Sequence, residues 1–165
     1  MKLFRRHVYS FNTRWHFRAA PEAVYELLSD PVSYPRWWKG IRLQVQELAP
    51  GQSNGIGQRV SFRIRGRLPY ELSWQLCCVD AARPCQIVTE ASGDLSGTGI
   101  WSFEPLNAGT QVSFDWKVVA EKPLLKYGSF FFRPLFIANH DWVMACCERG
   151  LRQELEAAGE RKANG

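Results

Sequence analysis

The sequence predicts an α+β domain in which an antiparallel sheet of seven strands packs on one long C-terminal helix. Three observations predict it. Apolar residues alternate with a period of two from Ile41 almost to Ala120. A shorter alternating run, Ser10 to Arg18, stands ahead of them, with two short helical segments between. Arg133 to Ala157 carries apolar residues at helical spacing.

The first strand places Phe11, Thr13, Trp15 and Phe17 on one side and Asn12, Arg14, His16 and Arg18 on the other. Ala20-Pro21-Glu22 then opens a helix from Pro21 to Ser29 that turns Val24, Leu27 and Leu28 inward, and Asp30-Pro31 ends it. A second helical turn covers Val32 to Trp38. The strands that follow have inner rows of Ile41, Leu43 and Val45; of Val60, Phe62 and Ile64; and of Tyr70, Leu72, Trp74, Leu76 and Cys78. The next rows are Ile87, Thr89 and Ala91; Leu95, Trp101 and Phe103; and Val112, Phe114, Trp116 and Val118. The breaks carry turn residues, as at Pro50 to Gly55, Gly66 to Pro69, Ala82 to Pro84, Ser92 to Asp94 and Asn107 to Gly109. Connections this short imply antiparallel neighbours. Glu121 to Phe132 is longer and aromatic, which suits a lid, an entrance or a segment packed over one end of the sheet.

On the long helix, Phe136, His140, Val143, Met144, Cys147, Gly150, Leu151 and Leu155 share one arc, opposite Asp141, Ala145, Glu148, Arg149, Arg152 and Glu156. Pro134 fits the first turn, where a missing N–H costs nothing, and Gly159 fits the stop. A single domain over residues 1–158 and a frayed tail over 159–165 follow. Asn139 and His140 interrupt the apolar arc. Burying them without partners would cost about 1 to 3 kcal/mol each, so backbone and neighbouring side chains satisfy them, or they face a cavity and meet a ligand or its water. Glu154, near the other end of the arc, reaches solvent and receives no role.

The chain's 165 residues, 45% of them apolar, can bury a real core, and no apolar run approaches the ~18 residues of a membrane span. No secretory signal follows the basic N-terminus. Five cysteines, an odd number with the adjacent pairs Cys77 with Cys78 and Cys146 with Cys147, suit inert thiols in a reducing cytoplasm better than a disulfide framework. No CxxC or HxxxH spacing occurs and His7, His16 and His140 are scattered, so neither a metal nor a cofactor is expected. The net charge of +5 is lopsided. Lys2, Arg5, Arg6, Arg14 and Arg18 face no acid in the first 18 residues, and Arg36 to Arg67 adds seven bases against Glu47 alone.

Two motifs connect these elements to a family. Ala19-Ala20-Pro21-Glu22-Ala23-Val24-Tyr25-Glu26-Leu27-Leu28-Ser29-Asp30 with Tyr34-Pro35-Arg36-Trp37-Trp38 is one. Gly99-Ile100-Trp101-Ser102-Phe103-Glu104-Pro105 with Gly109-Thr110-Gln111-Val112 is the other. With the order of elements over about residues 10 to 157, the chain resembles the START-like, or SRPBCC, superfamily, and most of all its polyketide cyclase/dehydrase and lipid-transport branch. Asn139 to Met144 is similar to a helix segment found in related sequences of unassigned activity. A lipocalin also joins an antiparallel barrel to a C-terminal helix, but it lacks the helical pair, and its early Gly-x-Trp signature is missing here.

The resemblance implies a helix-grip fold, a curved sheet wrapped around the terminal helix with a gap between them. It also implies a hydrophobic small-molecule ligand of lipid, polyketide or aromatic type. On that fold the ligand-binding candidates are Trp38, Phe62, Trp74, Thr89, Trp101, Phe103, Trp116, Asn139, His140, Val143 and Cys147. Of Trp37 and Trp38, one is expected to close the pocket mouth and the other to anchor the turn. No G-x-S-x-G, metal constellation or inward pair of acids points to catalysis. A binding or carrier role is therefore the first reading. A cyclase or dehydratase is the second, with His140 as acid/base and Tyr70 or Tyr127 as donor.

The topology implied by the resemblance also sets strand one beside strand two and strand two beside strand three. The outward residues Arg14, His16, Arg18, Arg42, Arg59, Arg63 and Arg65 would then share one convex basic face. Such a face could take weak contact with an anionic membrane or an acidic carrier protein, with nucleic acid the least expected partner.

Overall fold

A computed structural model describes residues 8–123 and 129–165, with the backbone alone at 129 and 130. The basic N-terminal residues, His7, Tyr127 and the middle of the 121–132 connection lie outside the described residues. The strands are β1 (Val8–Phe17), β2 (Arg42–Ala49), β3 (Arg59–Arg65), β4 (Leu72–Ala82), β5 (Gln86–Gly93), β6 (Leu95–Leu106) and β7 (Gly109–Ala120). Helix α1 (Pro21–Leu28), a 3-10 turn (Pro31–Ser33) and α2 (Tyr34–Trp37) follow β1, and α3 (Ser129–Ala163) closes the chain. This is the helix-grip arrangement, a single antiparallel sheet curved around α3.

Sheet order is β1-β7-β6-β5-β4-β3-β2. The inner rows follow the period of two: Val60, Phe62, Ile64, Leu72, Thr89, Trp101, Val112, Trp116 and Val118 are all buried. Asn107 and Ala108 both take positive φ, at 48° and 55°, in the two-residue β6–β7 turn that Leu106 and Gly109 close. That is the turn whose hand suits a twisted hairpin. Gly109 has no room for a β-carbon, which would strike the Phe17 carbonyl oxygen of β1.

The order corrects one expectation. β1 is not the neighbour of β2; the two are opposite edges of the sheet, with five strands between them. β1 pairs with β7, Trp15 opposite Val112, because the last strand returns alongside the first. The seven bases therefore form two groups. Arg14, His16 and Arg18 lie at one edge, and Arg42, Arg59, Arg63 and Arg65 at the other.

The long helix exceeds its predicted bounds at both ends. Helix extends ahead of Pro134 to Ser129, so the proline sits in the second turn rather than the first. It forfeits one hydrogen bond there without ending the helix. Gly159 is exposed with open space around it, and the helix runs through it to Ala163. An interior glycine costs about 1 kcal/mol, which does not stop a helix flanked by good helix formers. Where α3 crosses α2, Gly150 lies directly on the Trp37 carbonyl. Arg36 and Glu154 pair at 2.7 Å across the same junction, so Glu154 does reach solvent but also ties α2 to α3.

Candidate functional site

Between the concave face and the first half of α3 the core is incomplete. It leaves a partly open cavity of about 120 Å³ whose lining contains no lysine, arginine, aspartate or glutamate. Cross-strand pairing builds the walls. Phe62 opposite Trp74 gives a stacked pair with ring centroids 5.4 Å apart, and Trp101 opposite Phe114 gives one at 4.0 Å. Gly99 lies opposite Trp116 with no room for a side chain, so the indole lies flat over the strand. From the other side α3 presents Phe136, Asn139, His140, Val143 and Met144.

Nine of the eleven residues singled out from the sequence line this cavity: Trp38, Phe62, Trp74, Thr89, Trp101, Trp116, Asn139, His140 and Val143. Phe103 and Cys147 do not. Phe103 lies beyond one end, packed edge-on to Tyr25 of α1 at 5.4 Å, and Cys147 is fully buried. Both share the inward face with cavity residues, but α1 and α2 fill the space in front of them. Trp37 and Trp38 face different surroundings. Trp38 lines the cavity and donates its indole N–H to the Val143 carbonyl at 3.1 Å, while Trp37 is buried against Gly150. Tyr34 is a lining residue the sequence did not single out; its hydroxyl donates to the Leu28 carbonyl at 2.6 Å. The Tyr-Pro-Arg-Trp-Trp motif held that signal. A second void of about 50 Å³ under α1 shares Tyr34, Leu76, Thr89 and Trp101 with the first.

The polar groups at the cavity have different fates. Thr89 donates its hydroxyl to the Gly99 carbonyl at 3.2 Å. Asn139 Oδ1 accepts the Arg67 backbone N–H at 3.0 Å and so pins the β3–β4 connection to α3. This contact needs Gly66, since a β-carbon there would collide with the Asn139 amide and crowd Val143. His140 stacks on Phe11, ring centroids 3.6 Å apart, and its buried Nδ1 has no hydrogen-bond partner. The Asp141 carboxylate lies 3.7 Å away, too far for a hydrogen bond. Burial pushes the His140 pKa down to about 4, against a smaller upward pull from Asp141, so the ring is neutral at neutral pH. The Trp74 indole N–H and the Tyr70 hydroxyl are also buried without partners, and burial pushes the Tyr70 pKa up to about 12.

A family model described as polyketide cyclase / dehydrase and lipid transport matches residues 9–156. The chain belongs to this family. Solved structures share its fold. The protein TTHA0849 from Thermus thermophilus superposes with a TM-score of 0.75 at 18% identity, covering 91% of this chain and 99% of that one. The Zhui aromatase/cyclase from a Streptomyces species, R1128, gives 0.74 at 20%, covering 91% and 94%. A START superfamily protein from Mycobacterium smegmatis gives 0.67 at 18%, covering 90% and 98%. At these identities the likeness is one of fold. No curated protein matches the sequence. Among the described residues no helix of this family member is long and apolar enough to cross a membrane.

Proposed function

We propose that the protein binds or carries a hydrophobic small molecule between its sheet and α3. The observation that supports this most is a cavity with no charged lining residue, kept open in a core otherwise packed with rings. An apolar void of about 150 Å³ takes benzene, so the partly open cavity of about 120 Å³ suits one ring or a short alkyl segment. A longer lipid or polyketide would exceed that volume and extend through the open side or into the second void. Four tryptophans in the lining, Trp38, Trp74, Trp101 and Trp116, make occupancy visible. Titration with toluene should shift tryptophan emission, and native mass spectrometry with solvent extraction should recover a co-purified apolar compound. A protein that yields no extractable compound and an unmoved emission spectrum would overturn the proposal. Five free cysteines suit the same reading in a reducing cytoplasm.

A cyclase or dehydratase role is the second reading, and it rests on the unpartnered His140 Nδ1. The ring would act as a base in its neutral form, and a pKa near 4 makes that base weak. Tyr70, with its raised pKa, would be a reluctant proton donor. If His140→Ala folds normally and leaves turnover of an enolisable polyketide unchanged, His140 is not the base.

A further inference from the structure

The first half of α3 has a second apolar face. Phe131, Leu135, Ala138, Trp142 and Ala145 recur at helical spacing on the side away from the cavity, over about 21 Å at 1.5 Å per residue. Phe131 is 78% exposed and Leu135 47%. A helix apolar on both sides is ordinarily covered on both. The one acid beside this stripe is Asp141, on the margin away from the sheet.

The other margin is basic. Gly66 abuts Asn139 and Val143, Gly40 abuts Cys146, and both glycines floor a shallow groove with Arg42 and Arg65. Arg42 and Arg65 are cross-strand partners. The Arg67 guanidinium lies 4.4 Å from the Trp142 ring centroid and that of Arg149 5.8 Å. Among the described residues no carboxylate pairs with Arg42, Arg65, Arg67 or Arg149.

We infer that this face docks on an anionic lipid surface, with α3 lying in the interface, Phe131 and Leu135 entering it, the half-buried Trp142 at its margin, and the arginines meeting lipid phosphates. An apolar stripe with a tryptophan, bordered by bases, is the composition of a helix that lies on a membrane rather than across it. An acidic protein would satisfy the charges, but Phe131 and Leu135 stand out from the helix and would need matching pockets. A bilayer accepts them at any register. The seam also borders the cavity, since Asn139 and Val143 belong to both.

Co-sedimentation of the full chain with phosphatidylcholine vesicles, with and without about a third phosphatidylglycerol, tests this. Binding is expected to the anionic vesicles only, weakening steeply from about 50 to about 500 mM salt. Arg42→Glu with Arg65→Glu should cost at least about tenfold in vesicle affinity. Leu135→Asp should cost a similar factor with an unchanged circular dichroism spectrum, and Trp142→Phe should remove a vesicle-induced blue shift of emission. No binding at low salt, equal binding to neutral vesicles, or undiminished binding by both charge and apolar variants would overturn the inference. So would tight capture of an acidic protein without vesicle binding.

Discussion

His140 sits in an environment that departs from its composition-based expectation. A histidine with its ordinary pKa near 6.5 would suit proton transfer at neutral pH. Stacked on Phe11 and mostly buried, it is held neutral down to about pH 4. The consequence for stability has a definite sign. Above pH 6.5 both folded and unfolded chains carry it neutral, and its contribution is fully present. As pH falls toward 4 the unfolded chain takes up the proton first, and stability is lost by up to about 3 kcal/mol. Urea unfolding of wild type and His140→Phe at about pH 7 and about pH 4 should show wild type losing more stability than the variant; equal losses would contradict the assignment. The sequence made the anomaly of Asn139 and His140 legible because both interrupt an apolar arc. It could not show that Asn139 is occupied by the Arg67 backbone, since that partner lies 72 residues away in the chain.

At the scale of elements, strand faces were more legible than ends. Alternation reports directly which side of a strand is buried, and the inner rows read from it lie on the side that packs against α3 and α1. Helix limits depend on costs of about 3 kcal/mol at Pro134 and about 1 kcal/mol at Gly159, which local sequence does not weigh against tertiary packing. The crossing of α2 and α3 shows the same limit, because nothing around Gly150 announces a helix-to-backbone contact. Replacing an interior helical glycine by alanine ordinarily stabilises by about 1 kcal/mol. At Gly150 the new methyl would meet the Trp37 carbonyl, so Gly150→Ala should instead destabilise by about 1 to 3 kcal/mol. Chemical denaturation decides between the two signs, and a gain in stability would mean that the helices cross more loosely.

For the molecule as a whole, the element order and both short helices were legible, and with them the family. Sheet order was not, because pairing between the first and seventh strands leaves no local mark, and the expected single basic face was lost with it. The cavity predicts a thermal response. A neutral single-ring compound at about 100 times its dissociation constant adds about 2.7 kcal/mol, which should raise the melting temperature by roughly 5 to 10 °C in a chain of this length. Toluene should do this and benzoate should not, since no cation awaits a carboxylate inside. A melting temperature unmoved by toluene would mean that the void does not admit a guest. How far such a guest could extend comes back to Gly66, where the strand connection rests on the helix with hydrogen as its only side group. One added methyl would act as a wedge, prising the two apart along the seam, so a position that contributes no side chain to the chamber still governs its width.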